Sequence, residues 1–252
     1  QKFMDAGEYV PDSVTNEMVR DRLGQPDAAG GFLLDGYPRT LAQVEELDGM
    51  IAFTGHRLDA VVSLTVDQDE IVSRLVETYR RIRNTSRFML GNLSDFDPDK
   101  DMVPYESMLE LDRYALHVTN KLIEKVRRAY EEYEPYVIYQ QIHNFCVVDM
   151  SAFYLDILKD RLYVYKRDSL ERRSAQSAIF RIIMDLTRLI APILAFTSEE
   201  IWDYMPVFLG KEESVHLASM PAADPAFMDS ELAGKWERIL LLRQEVSKEM
   251  EI

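Results

Sequence analysis

Apolar positions along this chain follow two different rhythms, and the change falls near residue 76. Before it, short apolar runs alternate with helical stretches. Asp12 reads as the N-cap of a helix through about Leu23, which Gly24 stops. Gly31-Phe32-Leu33-Leu34-Asp35 reads as a buried strand bounded by glycines. Thr40 to about Met50 reads as a helix, and residues 60–66 as a second buried strand. Strand, helix and strand at this spacing predict one βαβ unit of a parallel sheet.

After residue 76 the strand signals stop. Helical periodicity shows at Tyr79, Ile82 and Met89, then at Leu111, Ala115, Val118, Leu122 and Val126. A third helix is predicted from about Tyr136 to Arg161. A fourth opens at Asp168-Ser169-Leu170-Glu171 and runs to about Ile190, before Pro192. Thr197-Ser198-Glu199-Glu200 reads as another capping box, opening a short helix that Pro206 ends. A last helix begins near Ser230. The expected class is mainly α: a helical bundle preceded by an incomplete α/β segment with about two parallel strands. The expected domains are 1–76 and 77–252.

Composition narrows the chemistry. The single cysteine, Cys146, excludes a disulfide framework and a Cys-rich zinc site, and it suits a reducing, cytoplasmic setting. The four histidines show no ligand spacing, so no metal site is expected. No apolar run is long enough for a membrane span. The chain opens on Gln1 without a signal-like segment, which suggests a fragment. Net charge is −15 and is shared by both parts: residues 1–76 hold 6 basic and 14 acidic side chains. Any nucleic-acid contact must therefore come from a local basic patch rather than from the overall field.

Asp35-Gly36-Tyr37-Pro38-Arg39-Thr40 stands between the first predicted strand and its helix. A carboxylate at a strand's C-terminal end is placed where open α/β sheets bind ligands, and Asp35 there suits Mg²⁺ held through water. Arg39 offers a fork of donors for a phosphate, and Gln43 a partner for a base edge. The same residues also read as a plain turn with a surface ion pair. With Met4-Asp5-Ala6-Gly7-Glu8-Tyr9-Val10 upstream, the block from Phe3 to about Leu75 resembles the middle of bacterial adenylate kinases. The resemblance implies an AMP site at Gly7, Tyr9, Val10, Gly36, Arg39 and Gln43, with Asp35 associated with Mg²⁺. It also implies a sheet lacking its central strand. The phosphate-cradling G-x-x-x-x-G-K-[ST] loop is absent, so phosphoryl transfer from ATP is not expected.

Beyond the change, Arg80, Arg83 and Arg87 share one helix face. A second basic cluster comprises Lys159, Arg161, Lys166, Arg167, Arg172 and Arg173, with Tyr163 and Tyr165 able to stack on an unpaired base. These cations suit an RNA backbone, or equally pairing with the nearby Glu77, Asp160, Asp168 and Glu171. The segments Glu77-Thr78-Tyr79-Arg80-Arg81-Ile82-Arg83-Asn84-Thr85 and Leu90-Gly91-Asn92-Leu93-Ser94-Asp95-Phe96-Asp97-Pro98 resemble the anticodon-binding domain of bacterial isoleucyl-tRNA synthetases. So do Leu111-Asp112-Arg113-Tyr114-Ala115-Leu116 and Ala191-Pro192-Ile193-Leu194-Ala195-Phe196.

This resemblance implies a tRNA(Ile)-binding module that catalyses nothing. The synthetase signatures HIGH and KMSKS are absent, and no catalytic residue or bound cofactor is expected. ATP and Mg²⁺ belong only to the intact parents. An AMP-binding remnant, with weak affinity, and an artificial fusion without a native function are the alternatives. No breaker separates the two parts, so one helix from about Asp69 to Leu90 is predicted to carry both. Open strand edges in the first part are expected to leave it loosely ordered or to promote self-association.

Overall fold

The computed structural model describes residues 11–62 and 68–250. The chain divides into two compact units, Gln1–Val66 and Asp67–Ile252. The longer helices are numbered α1 to α8 below.

In the first unit, α1 (Asp12–Leu23) packs against α2 (Leu41–Thr54). Pro11, not Asp12, occupies the N-cap of α1, and the Asp12 carboxylate instead accepts from Thr40 Oγ1 at 2.8 Å and Gln43 Nε2 at 2.7 Å. Thr40 caps α2 by accepting from the Gln43 amide, and Gly55 closes that helix in a left-handed conformation (φ 72°) open to glycine without strain. Leu23, Leu47, Met50 and Ile51 form a small core, with Phe32, Leu34 and Tyr37 lying on it.

The expected α/β segment is not formed: no strand is present among the described residues. Residues 31–34 run as a stretch without regular structure, in which Phe32 and Leu34 touch the helices while Leu33 points to solvent. At the second expected strand, Val61 and Val62 are exposed, and residues 63–66 lie outside the described residues. The physical reason is pairing. A strand is stable only when a neighbour takes up its N–H and C=O groups. An apolar run of five residues cannot supply that neighbour itself. The self-association expected through open strand edges loses its basis with them.

The second unit is a helical bundle. The helix predicted across the join forms as α3 (Gln68–Gly91), one residue longer at each end than expected and unbroken at residue 76. It is followed by α4 (Glu110–Glu131), α5 (Pro135–Asn144), α6 (Leu170–Ile190), α7 (Ala195–Tyr204) and α8 (Ser230–Met250). α6 is the central element, packed on α4, α3 and α7, with Ala178, Ile179, Ile182, Ile183 and Leu186 fully buried. Their spacing places them on a broad apolar face, the pattern of a helix surrounded by others. Ser169 caps α6 as predicted, accepting from the Arg172 amide.

Two helices depart from the sequence reading. The predicted third helix is α5 followed by a π-wound stretch, Phe145–Tyr154, and short turns to Tyr163. Its run Phe145-Cys146-Val147-Val148 is apolar all round, so periodicity gave no warning of the wider winding. α7 begins at Ala195, before the expected capping box; Thr197 Oγ1 instead meets Tyr79 Oη at 3.2 Å.

Candidate nucleic-acid interface

The two basic clusters meet different fates in the fold. In the second cluster, three of the arginines hold the bundle together. Arg161 donates two hydrogen bonds to the fully buried carboxylate of Asp112, at 3.1 and 2.6 Å, and further bonds to the Glu171 carbonyl. Tyr154 Oη and Ser174 Oγ complete that carboxylate's shell. Arg172 forks onto Asp95 at 2.8 and 3.1 Å, and Arg173 reaches Asp101 at 3.1 Å. Burial alone would raise the Asp95 carboxyl; hydrogen bonds from Gln176 and Arg172 outweigh it and hold it below the usual range. A guanidinium so engaged costs too much to withdraw for an external phosphate.

The remaining members are more accessible. Arg167 is exposed and lies 3.3 Å from Asp95, and Lys159 pairs with Asp156 at 2.7 Å on the surface. Lys166 is exposed and has no ion-pair partner among the described residues. Tyr163 and Tyr165 are exposed as expected.

The stripe on α3 stays available. Arg80 lies 4.0 Å from Glu77, and Arg83 lies 3.4 Å from Glu200, both as solvent-exposed pairs of little strength. Arg87 is exposed and unpaired among the described residues. It stands between two open grooves. One, of about 580 Å³, is lined by Arg83, Arg87, Ser94, Glu200 and Tyr204. The other, of about 400 Å³, is lined by Asn84, Arg87, Phe88, Asn92 and Tyr163. A free guanidinium flanked by exposed tyrosines and amides offers phosphate contact, base stacking and base-edge hydrogen bonding within one surface.

The sequence reading had assigned no role to Asn84 and Asn92, although both lie in the quoted segments. Tyr204 carried no signal at all, because α7 brings it to Arg87 from a distant part of the chain.

In the first unit, Gly7, Tyr9 and Val10 lie outside the described residues. Gly36 adopts φ 66°, where a Cβ would also come within 3.0 Å of Arg39 Nη2. Arg39 Nε donates to the Gly36 carbonyl at 2.6 Å, and the Arg39 amide donates to Gln43 Oε1 at 2.7 Å. With its amide nitrogen on Asp12, buried Gln43 has no end left for a base edge. Asp35 is an exposed carboxylate, and no group of metal-holding side chains occurs among the described residues. One carboxylate alone does not fit the oxygen set of a Mg²⁺ site.

Comparison with known proteins now adds to the geometry. The family of anticodon-binding domains of tRNA ligases matches residues 112–252. The chain belongs to that family. Adenylate kinase is a second matching family, over residues 1–173, and the chain belongs to it as well, joining parts of two parents. The overlap, 112–173, lies wholly in the second unit.

Similar proteins include the isoleucine–tRNA ligase of Geobacter sulfurreducens, 46% identical over 237 residues and covering 88% of this chain. That of Syntrophotalea carbinolica is 52% identical over 184 residues, covering 73%. That of Moorella thermoacetica is 49% identical over 201 residues, covering 80%. The match takes in 25%, 20% and 21% of these relatives, so the chain spans about a quarter or less of their length. No helix among the described residues is long and apolar enough to cross a membrane.

Proposed function

We propose that the second unit binds the anticodon stem of tRNA(Ile) and that the chain acts in the cytoplasm without catalysis. The observation that carries this reading is Arg87, an unpaired cation set between grooves that also present Tyr163 and Tyr204. The names of the relatives support isoleucine as the cognate amino acid. The lack of a G-x-x-x-x-G-K-[ST] loop supports a non-catalytic chain, because phosphoryl transfer depends on positioning the phosphates. Binding is expected to be weak, since the net charge of −15 opposes approach of a polyanion.

Gel shift of tRNA(Ile) against a non-cognate tRNA at fixed salt tests the reading. Arg87→Ala should weaken binding and reduce the slope of log affinity against log salt by about 1 if it holds one phosphate. Equal affinity for both tRNAs, untouched by Arg87→Ala, would defeat it.

A further inference from the structure

Three side chains of α4 fasten the backbone that leads into α8. Arg127 donates to the carbonyls of Met220 and Pro221 at 3.4 and 3.0 Å. Asn120 Oδ1 accepts from the Asp224 amide at 2.7 Å, and buried His117 Nδ1 accepts from the Asp229 amide at 3.0 Å. Their spacing puts all three on one face of the helix. A backbone amide can only donate, so the third contact exists only while Nδ1 carries no proton. Arg127 and Asn120 hold at any ordinary pH, whereas an imidazole titrates near neutrality.

Asp229 is also where α8 starts. Its carboxylate accepts from the Leu232 amide at 2.8 Å, and its carbonyl from the Ala233 amide at 3.0 Å. His117 thus grips the residue that caps the helix. Beyond that point α8 is lightly held. Leu232 is buried and Trp236 stacks on Tyr114, but Lys235 meets Glu110 at 2.7 Å on the surface. Further along, Arg243 reaches the Ala152 carbonyl at 3.3 Å, and Leu241, Leu242 and Val246 are exposed.

We propose that His117 is a proton-operated latch on α8. With the ring neutral, the helix is docked on α4. A proton on Nδ1 sets two donors face to face and lets α8 open, while Asn120 and Arg127 keep the preceding segment in place.

The surroundings work in this direction. Burial holds the imidazole below its usual range, and Lys121 on the same helix adds to the effect; Asp229, Glu124 and Glu237 of α8 oppose it. The folded chain therefore favours the neutral ring. Its contribution to docking is whole above about pH 6.5 and is lost as pH falls through the lower value that the folded chain imposes. Asp149 shares a small cavity with Leu240 and Arg243 of α8 and titrates with the opposite sign, since its raised carboxyl favours the folded chain in acid.

Amide exchange of the full chain, corrected for the intrinsic rate at about pH 7.5 and about pH 5.5, tests the latch. Protection in residues 230–240 should fall several-fold at the lower pH, while that of α6 holds. His117→Gln offers an oxygen that accepts without titrating, and should keep α8 equally protected at both. Ring nitrogen spectra of the unaltered chain should show His117 carrying its proton on Nε2 at neutral pH. A proton on Nδ1 there would overturn the proposal. So would protection of α8 that is unchanged by acid, or that falls as far in His117→Gln.

Discussion

The two units obey the same local rules and differ in what they can bury. Gly24 ends α1, and Thr40 and Gly55 bound α2, yet their core comprises Leu23, Leu47, Met50 and Ile51, and Leu33, Leu41 and Phe53 are left exposed. α6 alone buries more apolar side chains than that entire core. Around it the bundle closes its polar interior too, through Asp112 and Asp95 with their arginines. The difference teaches that a resemblance in sequence transfers helices more readily than sheets. A helix satisfies its own backbone, whereas a strand depends on partners elsewhere in the parent chain. Stability follows buried area, so the second unit should carry nearly all of it.

Hydrogen exchange offers the largest expected contrast. Amides in residues 110–200 should exchange through global unfolding, while those in residues 11–62 open locally at far lower cost. Equal protection in both regions would break the comparison. Next in size is Asp112→Ala, which leaves Arg161 buried without its counter-charge and Tyr154 without its acceptor. A loss of about 3–5 kcal/mol is expected in denaturant unfolding of the second unit. A loss below about 1 kcal/mol would mean that the pair is not the clasp described here.

A smaller effect is set by pH. Burial pushes the Asp149 carboxyl up to about 6, partly offset by Lys125. Because the folded chain holds that proton more tightly than the unfolded one, the stability linked to it is full below about pH 4 and is lost as pH rises through about 6. Asp149→Asn should therefore raise the stability by about 1–3 kcal/mol at neutral pH and by little at acid pH. A gain independent of pH in thermal melts would contradict the assignment. The smallest effect expected is on AMP. With Gln43 engaged by Asp12 and by the Arg39 amide, calorimetric titration should give at most a weak signal, little altered by Arg39→Ala. A clear signal abolished by that change would restore the first unit as a nucleotide site.

Much of the helical architecture was legible because amphipathic spacing and stop signals are local. Gly24, Thr40, Ser169 and Ser230 stand at or next to the helix ends that they announced. The strands misled because Gly31-Phe32-Leu33-Leu34-Asp35 carries the same pattern whether or not a neighbour exists to pair with it. The site was only half legible for a related reason. Arg161 and Arg172 look like RNA ligands in sequence, but their partners Asp112 and Asp95 lie 49 and 77 residues away and only folding joins them. Arg87 sat in the stripe read from the sequence, whereas its neighbours Tyr163 and Tyr204 come from other elements.

The claim that RNA recognition rests on the bundle's open face is tested most directly by titrating tRNA(Ile) into the full chain and its Arg87→Ala variant. At about 100 mM salt the unaltered chain should prefer tRNA(Ile) to a non-cognate tRNA, and the variant should bind several-fold more weakly. Binding that ignores both the identity of the tRNA and the loss of that guanidinium would contradict the account.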